Sequence, residues 1–130
     1  MGRHTLAPRL RVLVADDHDD SRLLIQTFLS LLGFLVRTVA DGREALREAP
    51  LFRPDVVFLD IWMPGMGGVE TCQRLRNGPC PQPVPIYGVT ADWKHFENPD
   101  RCFDAVLAKP VDLDRLAAVI RDGRLPRPLH

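Results

Sequence analysis

The stretch D-V-V-F-L-D-I-W-M-P-G-M-G-G, residues 55–68, decides how this chain folds. Residues 56–59 form a short, unbroken apolar run with a proline on either side, which is typical of a strand buried on both faces. Asp60 follows that run, and the proline and glycines of residues 63–68 then turn the chain away. The stretch therefore predicts a central strand with one carboxylate at its carboxyl end, where open α/β sheets bind ligands. The alternative is that Asp60 is a solvated residue that begins a loop.

Length and composition indicate one ordinary globular domain. The 130 residues are 45% hydrophobic and 26% charged, enough for a single core. The 17 basic and 17 acidic residues cancel, so bulk charge favours neither nucleic acid nor an anionic membrane. No apolar run reaches the roughly 18 residues of a membrane-spanning helix, and the N-terminus lacks a signal-peptide pattern. We therefore expect a cytoplasmic protein.

The cysteines fit the same expectation. Cys72, Cys80 and Cys102 are odd in number and widely spaced, and no C-x-x-C pair suggests a zinc or redox site. We expect reduced and inert thiols in a cytosolic protein.

The rest of the chain alternates strand and helix patterns. Further strands are expected at residues 10–15, 34–40, 84–89 and 105–108. Helices are expected from Ser21 to Gly33, from Asp41 to an end within residues 50–54, from Val69 to Asn77 and from Asp112 to Gly123. Parallel strands need right-handed crossovers, so this order predicts a parallel sheet with helices on both faces. Between the last two strands, Asn98-Pro99 should break a helix, which predicts a short or irregular fourth crossover.

Several side chains are assigned to helix ends or to the core. Asp41 and Glu44 form a capping-box pattern, and Asp19 or Asp20 is expected to cap the first helix. In the irregular segment, Trp93, Phe96 and Cys102 are expected to face the core. The apolar side of the first helix is expected to consist of Leu24, Phe28, Leu31 and Leu32, with Ile25 beside them.

Reactive side chains follow four of the five strands. They are Asp16 and Asp17, then Asp60, then Thr90, and finally Lys109. Two like charges 4 Å apart repel by about 4 kcal/mol at an effective dielectric constant of 20, so clustered carboxylates need a cation or a proton. Oxygen ligands suit Mg²⁺, an ammonium group suits phosphate, and a hydroxyl donates one hydrogen bond. The set predicts a site that binds a phosphoryl group, with Asp60 as the nucleophile that forms an acyl phosphate.

Four motifs in this order carry a resemblance. D-D at 16–17, D-I-W-M-P-G-M-G-G from residue 60, V-T-A at 89–91 and A-K-P-V at 108–111 resemble the receiver domain of two-component response regulators and hybrid histidine kinases. The resemblance implies an α/β, flavodoxin-like, doubly wound fold: a (βα)5 chain with a five-stranded parallel sheet in the order 2-1-3-4-5 and a short or irregular fourth helix. The expected boundaries are an N-terminal tail (1–9), the receiver (10–123) and a C-terminal tail or linker (124–130).

The resemblance also implies how the acids act. Asp60 accepts a phosphoryl group from a histidine kinase or a histidine phosphotransfer protein. Mg²⁺ is bound by Asp17, by Asp60 and by the backbone carbonyl of Trp62, while Asp16 acts partly through water.

The remaining roles concern the phosphoryl group itself. Lys109 pairs with Asp60 and then with the phosphoryl oxygens. Thr90 moves to hydrogen-bond the phosphoryl group, which the N–H of Ala91 joins. Pro110 is expected to follow a cis peptide bond.

The implied function is a bacterial signalling domain and not an enzyme with an external product. It catalyses only its own phosphorylation and dephosphorylation. It then signals to a downstream effector or output domain, or passes the phosphoryl group along a phosphorelay. No basic recognition segment suggests nucleic acid. A stand-alone regulator and a receiver cut from a larger protein both remain open.

Three features depart from the family pattern. Val106 occupies the position, three before Lys109, where an aromatic residue is usual, and the segment from Thr90 to Lys109 is a few residues short. Trp62 is large for its position. It either screens the phosphoryl group from water and slows its loss, or covers the rim of the site without effect. His18 is interpreted as a solvated loop residue.

Other classes of function were compared with this one. A haloacid-dehalogenase-like phosphatase or phosphotransferase also uses an aspartyl nucleophile, but it has a second aspartate two residues later, where this chain has Trp62. A flavin or nucleotide module of the same fold lacks its glycine-rich loop here. A degenerate receiver that acts only as an interaction module is a further alternative.

Overall fold

The apolar run of the deciding stretch is the middle strand of a five-stranded sheet. In the computed structural model, β3 (Val56–Asp60) is buried along its whole length. It pairs with β1 (Arg11–Ala15) on one side and with β4 (Ile86–Thr90) on the other. A strand enclosed in this way has no face in water, which explains why its sequence is apolar without alternation.

Two outer strands complete the sheet. β2 (Leu35–Val39) pairs with β1, and β5 (Ala105–Ala108) pairs with β4. All pairs are parallel, and the strand order is β2-β1-β3-β4-β5. The predicted doubly wound sheet and its order 2-1-3-4-5 are confirmed.

Four helices cover the two faces of the sheet. They are α1 (Asp19–Leu31), α2 (Gly42–Phe52), α3 (Gly68–Asn77) and α4 (Leu113–Asp122). One core cluster contains buried residues of α2 and α3, and the other contains buried residues of α1 and α4. Among the described residues, none of the helices has the length and apolar character needed to cross a membrane.

The structure describes residues 9–78 and 84–122. Residues 1–8 of the predicted N-terminal tail, the predicted C-terminal tail (124–130), and the predicted helix stop at Gly123 lie outside the described residues. So does most of the proline-rich connection before β4, including Cys80.

The first helix buries a different side from the one expected. Ile25 and Leu29 are its buried residues, whereas Leu24 is 58% exposed and Leu31 is 81% exposed. The prediction was wrong because the sequence carries two apolar stripes, and the neighbouring one packs against the sheet. Phe28 lies between them and packs partly against the core.

The expected ends of α1 and α2 were only partly right. Asp19 and Asp20 lie in the first turn of α1, but the N-cap residue is His18, which makes no side-chain cap bond. Asp41 caps α2 as predicted, accepting a hydrogen bond from the Glu44 N–H at 2.9 Å. The stretch from Pro50 to Pro54 was expected to end α2, and the helix does end within it, at Phe52.

Burial explains why α2 passes through its proline. Phe52 is 8% exposed and belongs to the core cluster of α2 and α3, and the guanidinium groups of Arg11 and Arg37 lie over its ring. The free energy gained by burying this side chain offsets the loss of the backbone hydrogen bond that Pro50 cannot donate. Arg53, the C-cap residue that follows Phe52, adopts a left-handed conformation and ends the helix.

The connection between β4 and β5 contains no α-helix. Residues 91–95 form turns, and Pro99–Arg101 form one 3-10 turn. The predicted irregular fourth crossover is thus confirmed, and Cys102 is buried as expected. Phe96 packs partly against the core, but Trp93 is 47% exposed, so its assignment to the core was wrong.

A disulfide bond joins the connection to a helix. It links Cys72 of α3 to Cys102, whose Cα atoms are 6.3 Å apart. The expectation of reduced thiols is therefore wrong for these two cysteines. Sequence spacing gives no hint of the pairing, because 30 residues separate them.

Candidate functional site

The register of the sheet brings the predicted site residues to one edge. Ala15 pairs with Leu59, so the following residues, Asp16 and Asp60, stand level on neighbouring strands. Thr90 pairs with Ala108, which places Lys109 just beyond the end of β5. The carboxyl ends of four parallel strands thus converge, as the strand pattern predicts.

Asp60 lies at the centre of this edge and is 4% exposed. The Lys109 ammonium donates a hydrogen bond to Asp60 Oδ2 at 2.7 Å. The backbone N–H of Trp62 donates to the other oxygen, Oδ1, at 3.2 Å. A buried carboxylate with one cationic and one neutral donor is poorly solvated for its charge.

The environment changes the acidity of this group. Burial raises the pKa of Asp60 above that of an exposed aspartate, while the hydrogen bond and charge of Lys109 lower it. The negative charge of Asp16 adds to the rise, and the Trp62 N–H lowers the pKa again. Burial is the largest of these effects, so the net shift is upward. A weakly solvated carboxylate is a better nucleophile than one in bulk water.

Four side chains at this edge lie close enough together to bind one cation. Ligand atoms of Asp16, Asp17, His18 and Asp60 all lie within 4.8 Å of one another. Asp17 Oδ1 is buried and makes no hydrogen bond to any residue that the structure describes. A buried polar atom without a partner is costly, and a bound cation would satisfy it. Three carboxylates offer the hard oxygen ligands that a divalent ion such as Mg²⁺ prefers, so these residues fit a metal.

Thr90 is buried at the end of β4, 1% exposed. Its hydroxyl oxygen accepts a hydrogen bond from the Asp92 N–H at 3.1 Å. Its backbone carbonyl accepts one from the Lys109 N–H at 3.1 Å. The hydroxyl proton therefore stays available for a second partner, and the next residue, Ala91, is exposed.

The loop after Asp60 places Trp62 at the rim of the site. Its side chain is 70% exposed, although the adjacent Asp60 is buried. Its backbone N–H bonds to Asp60, as described above. Pro110 follows a cis peptide bond with Lys109, as predicted.

One residue at the site was missed in the sequence. Gly68, the first residue of α3, lies so close to the acceptor strand that a Cβ atom would stand 2.5 Å from the Asp60 carbonyl oxygen. Its N–H donates to the Ile61 carbonyl at 2.9 Å. Only glycine fits this approach of helix to strand, and the glycine pair before the helix pattern was the available signal.

Two further neighbours of the acidic pair were not expected to take part. His18 Nδ1 lies 3.3 Å from Asp16 Oδ1 and 3.3 Å from Asp17 Oδ1, so its interpretation as a purely solvated residue was incomplete. Arg22 donates to the Asp16 carbonyl at 2.8 Å and pairs with Asp19. The sequence carried a signal for each: His18 directly follows the acidic pair, and Arg22 lies about one helical turn after Asp19.

Comparison with known proteins connects this geometry to a family. A family model described as the response regulator receiver domain matches residues 12–121. Similar proteins include the sensor protein EvgS of Escherichia coli (strain K12), 36% identical over 115 residues, which are 86% of this chain and 9% of that protein. The transcriptional regulatory protein TcrA of Mycobacterium tuberculosis (strain ATCC 25618 / H37Rv) is 36% identical over 126 residues, 92% of this chain and 49% of that protein. The chain thus spans about half the length of one relative and a small part of the other.

Solved structures agree in fold. Chemotaxis response regulator CheY4 of Vibrio cholerae superposes with a TM-score of 0.80 at 29% identity, covering 88% of this chain and 98% of that one. Response regulator protein TrrA of Thermotoga maritima, in complex with Mg(2+)-BeF, gives a TM-score of 0.76 at 29% identity, covering 87% and 97%.

Proposed function

The chain belongs to the response regulator receiver domain family, and we propose that Asp60 is its phosphoryl acceptor. A receiver domain accepts a phosphoryl group in two-component signalling, and it is a signalling domain. The observation that carries the assignment is the pair of Asp60 and Lys109, 2.7 Å apart, at the centre of an acidic cluster. In this chain, the buried carboxylate with a cation on one oxygen is the group best suited to attack phosphorus.

The proposed reaction is a transfer from nitrogen to oxygen. A carboxylate oxygen of Asp60 attacks the phosphorus of a phosphohistidine, the phosphorus–nitrogen bond breaks, and the imidazole leaves. Asp16, Asp17, Asp60 and the carbonyl of Trp62 would hold Mg²⁺, which supplies positive charge to the phosphoryl oxygens. The complex of TrrA with Mg(2+)-BeF supports this choice of ion.

The other side chains are proposed to stabilise the transferred group. Lys109 lies beside the acceptor and is proposed to bind a phosphoryl oxygen once Asp60 is phosphorylated. The available hydroxyl proton of Thr90 and the N–H of Ala91 are proposed to donate to another phosphoryl oxygen. Movement of Thr90 toward the phosphoryl group would release Asp92, whose N–H it now accepts. This exchange is the proposed start of the conformational switch.

The proposal extends to partners and context. Family membership implies kinase or phosphotransfer partners. We propose a histidine kinase or a histidine phosphotransfer protein as the donor, and a downstream effector, output domain or next phosphorelay protein as the recipient. We also propose a cytoplasmic location, receiver boundaries at residues 10–123, and no catalysis beyond the domain's own phosphorylation and dephosphorylation.

The test is intact mass after incubation with acetyl phosphate or phosphoramidate, with Mg²⁺ and with EDTA. We expect wild type to gain the mass of one phosphoryl group only with Mg²⁺, and Asp60→Asn to gain none. Asp114→Asn removes an exposed carboxylate of α4 and should behave as wild type.

Two results would contradict the assignment. Retention of the full mass gain in Asp60→Asn would move the acceptor to another residue. A folded wild type that gains no mass from these donors or from a panel of phosphohistidine proteins would favour the degenerate receiver that acts as an interaction module.

A further inference from the structure

The disulfide between Cys72 and Cys102 joins two parts of the molecule that flank the candidate site. Cys72 lies on α3, which begins beside Asp60, and Cys102 lies in the connection that begins after Thr90. Both residues are buried. Their Cα separation of 6.3 Å lies within the normal range for a disulfide.

The surroundings also suit the reduced pair. The Cys72 sulfur lies 3.2 Å from the carbonyl oxygen of Cys102, so a thiol at position 72 has an acceptor in place. The rest of each cysteine's environment is apolar core, formed partly by Leu75 and Phe103. Reduction would therefore leave no buried polar group without a partner at Cys72.

A separate set of hydrogen bonds keeps the two cysteines together when the covalent bond is absent. Arg76, one turn after Cys72, donates to the Cys102 carbonyl from Nε at 3.0 Å and from Nη2 at 2.6 Å. It also pairs with Asp104 at 2.9 Å and donates to the Val84 carbonyl at 2.9 Å. Since these contacts do not use sulfur, the pair stays positioned to re-form its bond.

We propose that Cys72 and Cys102 are a reversible redox site whose oxidation fastens the β4–β5 connection to α3. The oxidant is a low-molecular-weight disulfide such as oxidised glutathione. The Cys102 thiolate attacks one sulfur of that molecule, which breaks its S–S bond, and one small thiol leaves. The Cys72 thiolate then attacks the Cys102 sulfur of the mixed disulfide and releases the second small thiol. Two protein thiols lose two electrons in total, and their protons end on the two released thiols.

The irregular connection explains how a buried pair can react. Residues 91–104 contain only turns and one 3-10 turn, so they have few of the backbone hydrogen bonds that hold a helix closed. Segments of this kind open locally at lower free energy than the sheet, which exposes Cys102 to a small reagent. In a reducing compartment such a bond is transient and responds to redox conditions.

Oxidation should change the connection more than the rest of the fold. Apart from the disulfide, Arg76 and the side chain of Asn98, which bonds to the Phe103 backbone, hold this segment. The disulfide adds a covalent link at Cys102, so opening of residues 91–104 becomes rarer. This consequence does not depend on whether Asp60 is phosphorylated.

The first test is a peptide map of the native 130-residue chain after treatment with oxidised glutathione and alkylation of free thiols. Relative to the reduced chain, we expect the oxidised chain to lose the mass of two hydrogen atoms and to give a peptide pair linked through Cys72 and Cys102. Cys80→Ser, which removes the third thiol, should give the same link, and dithiothreitol should reverse it. A link that uses Cys80, or two alkylated thiols at 72 and 102 after oxidation, would overturn the proposal.

The second test is amide hydrogen exchange of the oxidised and reduced wild type. We expect residues 91–104 to exchange about tenfold more slowly in the oxidised form, with little change in β1 and β2. Cys102→Ser should show no response to the same treatment. Equal exchange of residues 91–104 in the two wild-type forms would show that the bond does not fasten the connection.

Discussion

At Asp60, burial and charge oppose each other in one side chain. Its carboxylate is 4% exposed but is held by only one ammonium group and one N–H. Because burial is the largest effect on its pKa, the folded protein binds a proton at Asp60 more readily than the unfolded chain does. Stability contributed by this residue therefore decreases as the pH rises from the ordinary aspartate pKa through the raised one.

Asp60→Asn should consequently stabilise the fold at neutral pH. Since asparagine does not titrate, we expect a gain on the order of 1 kcal/mol above the raised pKa, which disappears near or below about pH 4 where wild type is protonated. The measurement is urea unfolding in Mg²⁺-free buffer at several pH values, with Asp114→Asn as the control. A loss of stability at neutral pH, or a gain independent of pH, would contradict the sign of the shift.

Trp62 permits a prediction about the lifetime of the phosphoryl group. Trp62 is 70% exposed, so most of its surface lies in solvent. We therefore expect Trp62→Asn to change the dephosphorylation rate by less than about twofold. The loss of phosphoryl mass is followed after removal of the donor. A much faster loss in the variant would support the view that the indole screens the site from water.

At the scale of elements, the first helix shows where sequence patterns become ambiguous. Residues 24, 28 and 31 form one apolar stripe, and residues 25, 29 and 32 form another, displaced by one position. Hydrophobic periodicity cannot choose between two stripes of equal strength, and only the sheet surface does so. In α2, the stretch from Pro50 to Pro54 correctly predicted where the helix ends, but the burial of Phe52 within it is not visible locally.

Two leucines of α1 test which side of the helix is buried against the sheet. Leu29 is 0% exposed and Leu24 is 58% exposed. Leu29→Ala should lower the free energy of unfolding by about 2–5 kcal/mol, whereas Leu24→Ala should change it by less than about 0.5 kcal/mol. Urea unfolding of both variants gives the comparison. Equal losses, or a larger loss for Leu24→Ala, would favour the originally expected face.

At the scale of the whole molecule, the parallel sheet explains why the site was easier to predict than the helix faces. Each site residue ends a strand or follows one directly, and parallel register alone brings strand ends to one edge. Asp16, Asp17, Asp60, Thr90 and Lys109 were therefore brought together from sequence alone. The disulfide and the close contact of Gly68 with β3 were not predicted from the sequence, because both depend on where α3 lies in space.

Metal binding should be visible in the stability of the whole domain. Asp17 Oδ1 is buried, makes no hydrogen bond within the described residues and lies 3.3 Å from His18 Nδ1, so Mg²⁺ bound there should stabilise only the folded state. We expect Mg²⁺ at about 100 times its Kd to add about 2.7 kcal/mol to the free energy of unfolding, and EDTA to remove the gain. Asp17→Asn should lose most of this response, while Asp114→Asn keeps it. A response unchanged in Asp17→Asn would place the metal elsewhere.

The most direct measurement identifies the phosphorylated residue chemically. After phosphorylation with acetyl phosphate and Mg²⁺, borohydride reduces an aspartyl phosphate to homoserine, and fragmentation of the peptides that contain residues 55–68 and residues 16–17 locates the change. We predict homoserine at position 60 and intact aspartates at positions 16 and 17. Homoserine at another aspartate, or a phosphorylated chain with none, would contradict the assignment of Asp60 as the acceptor.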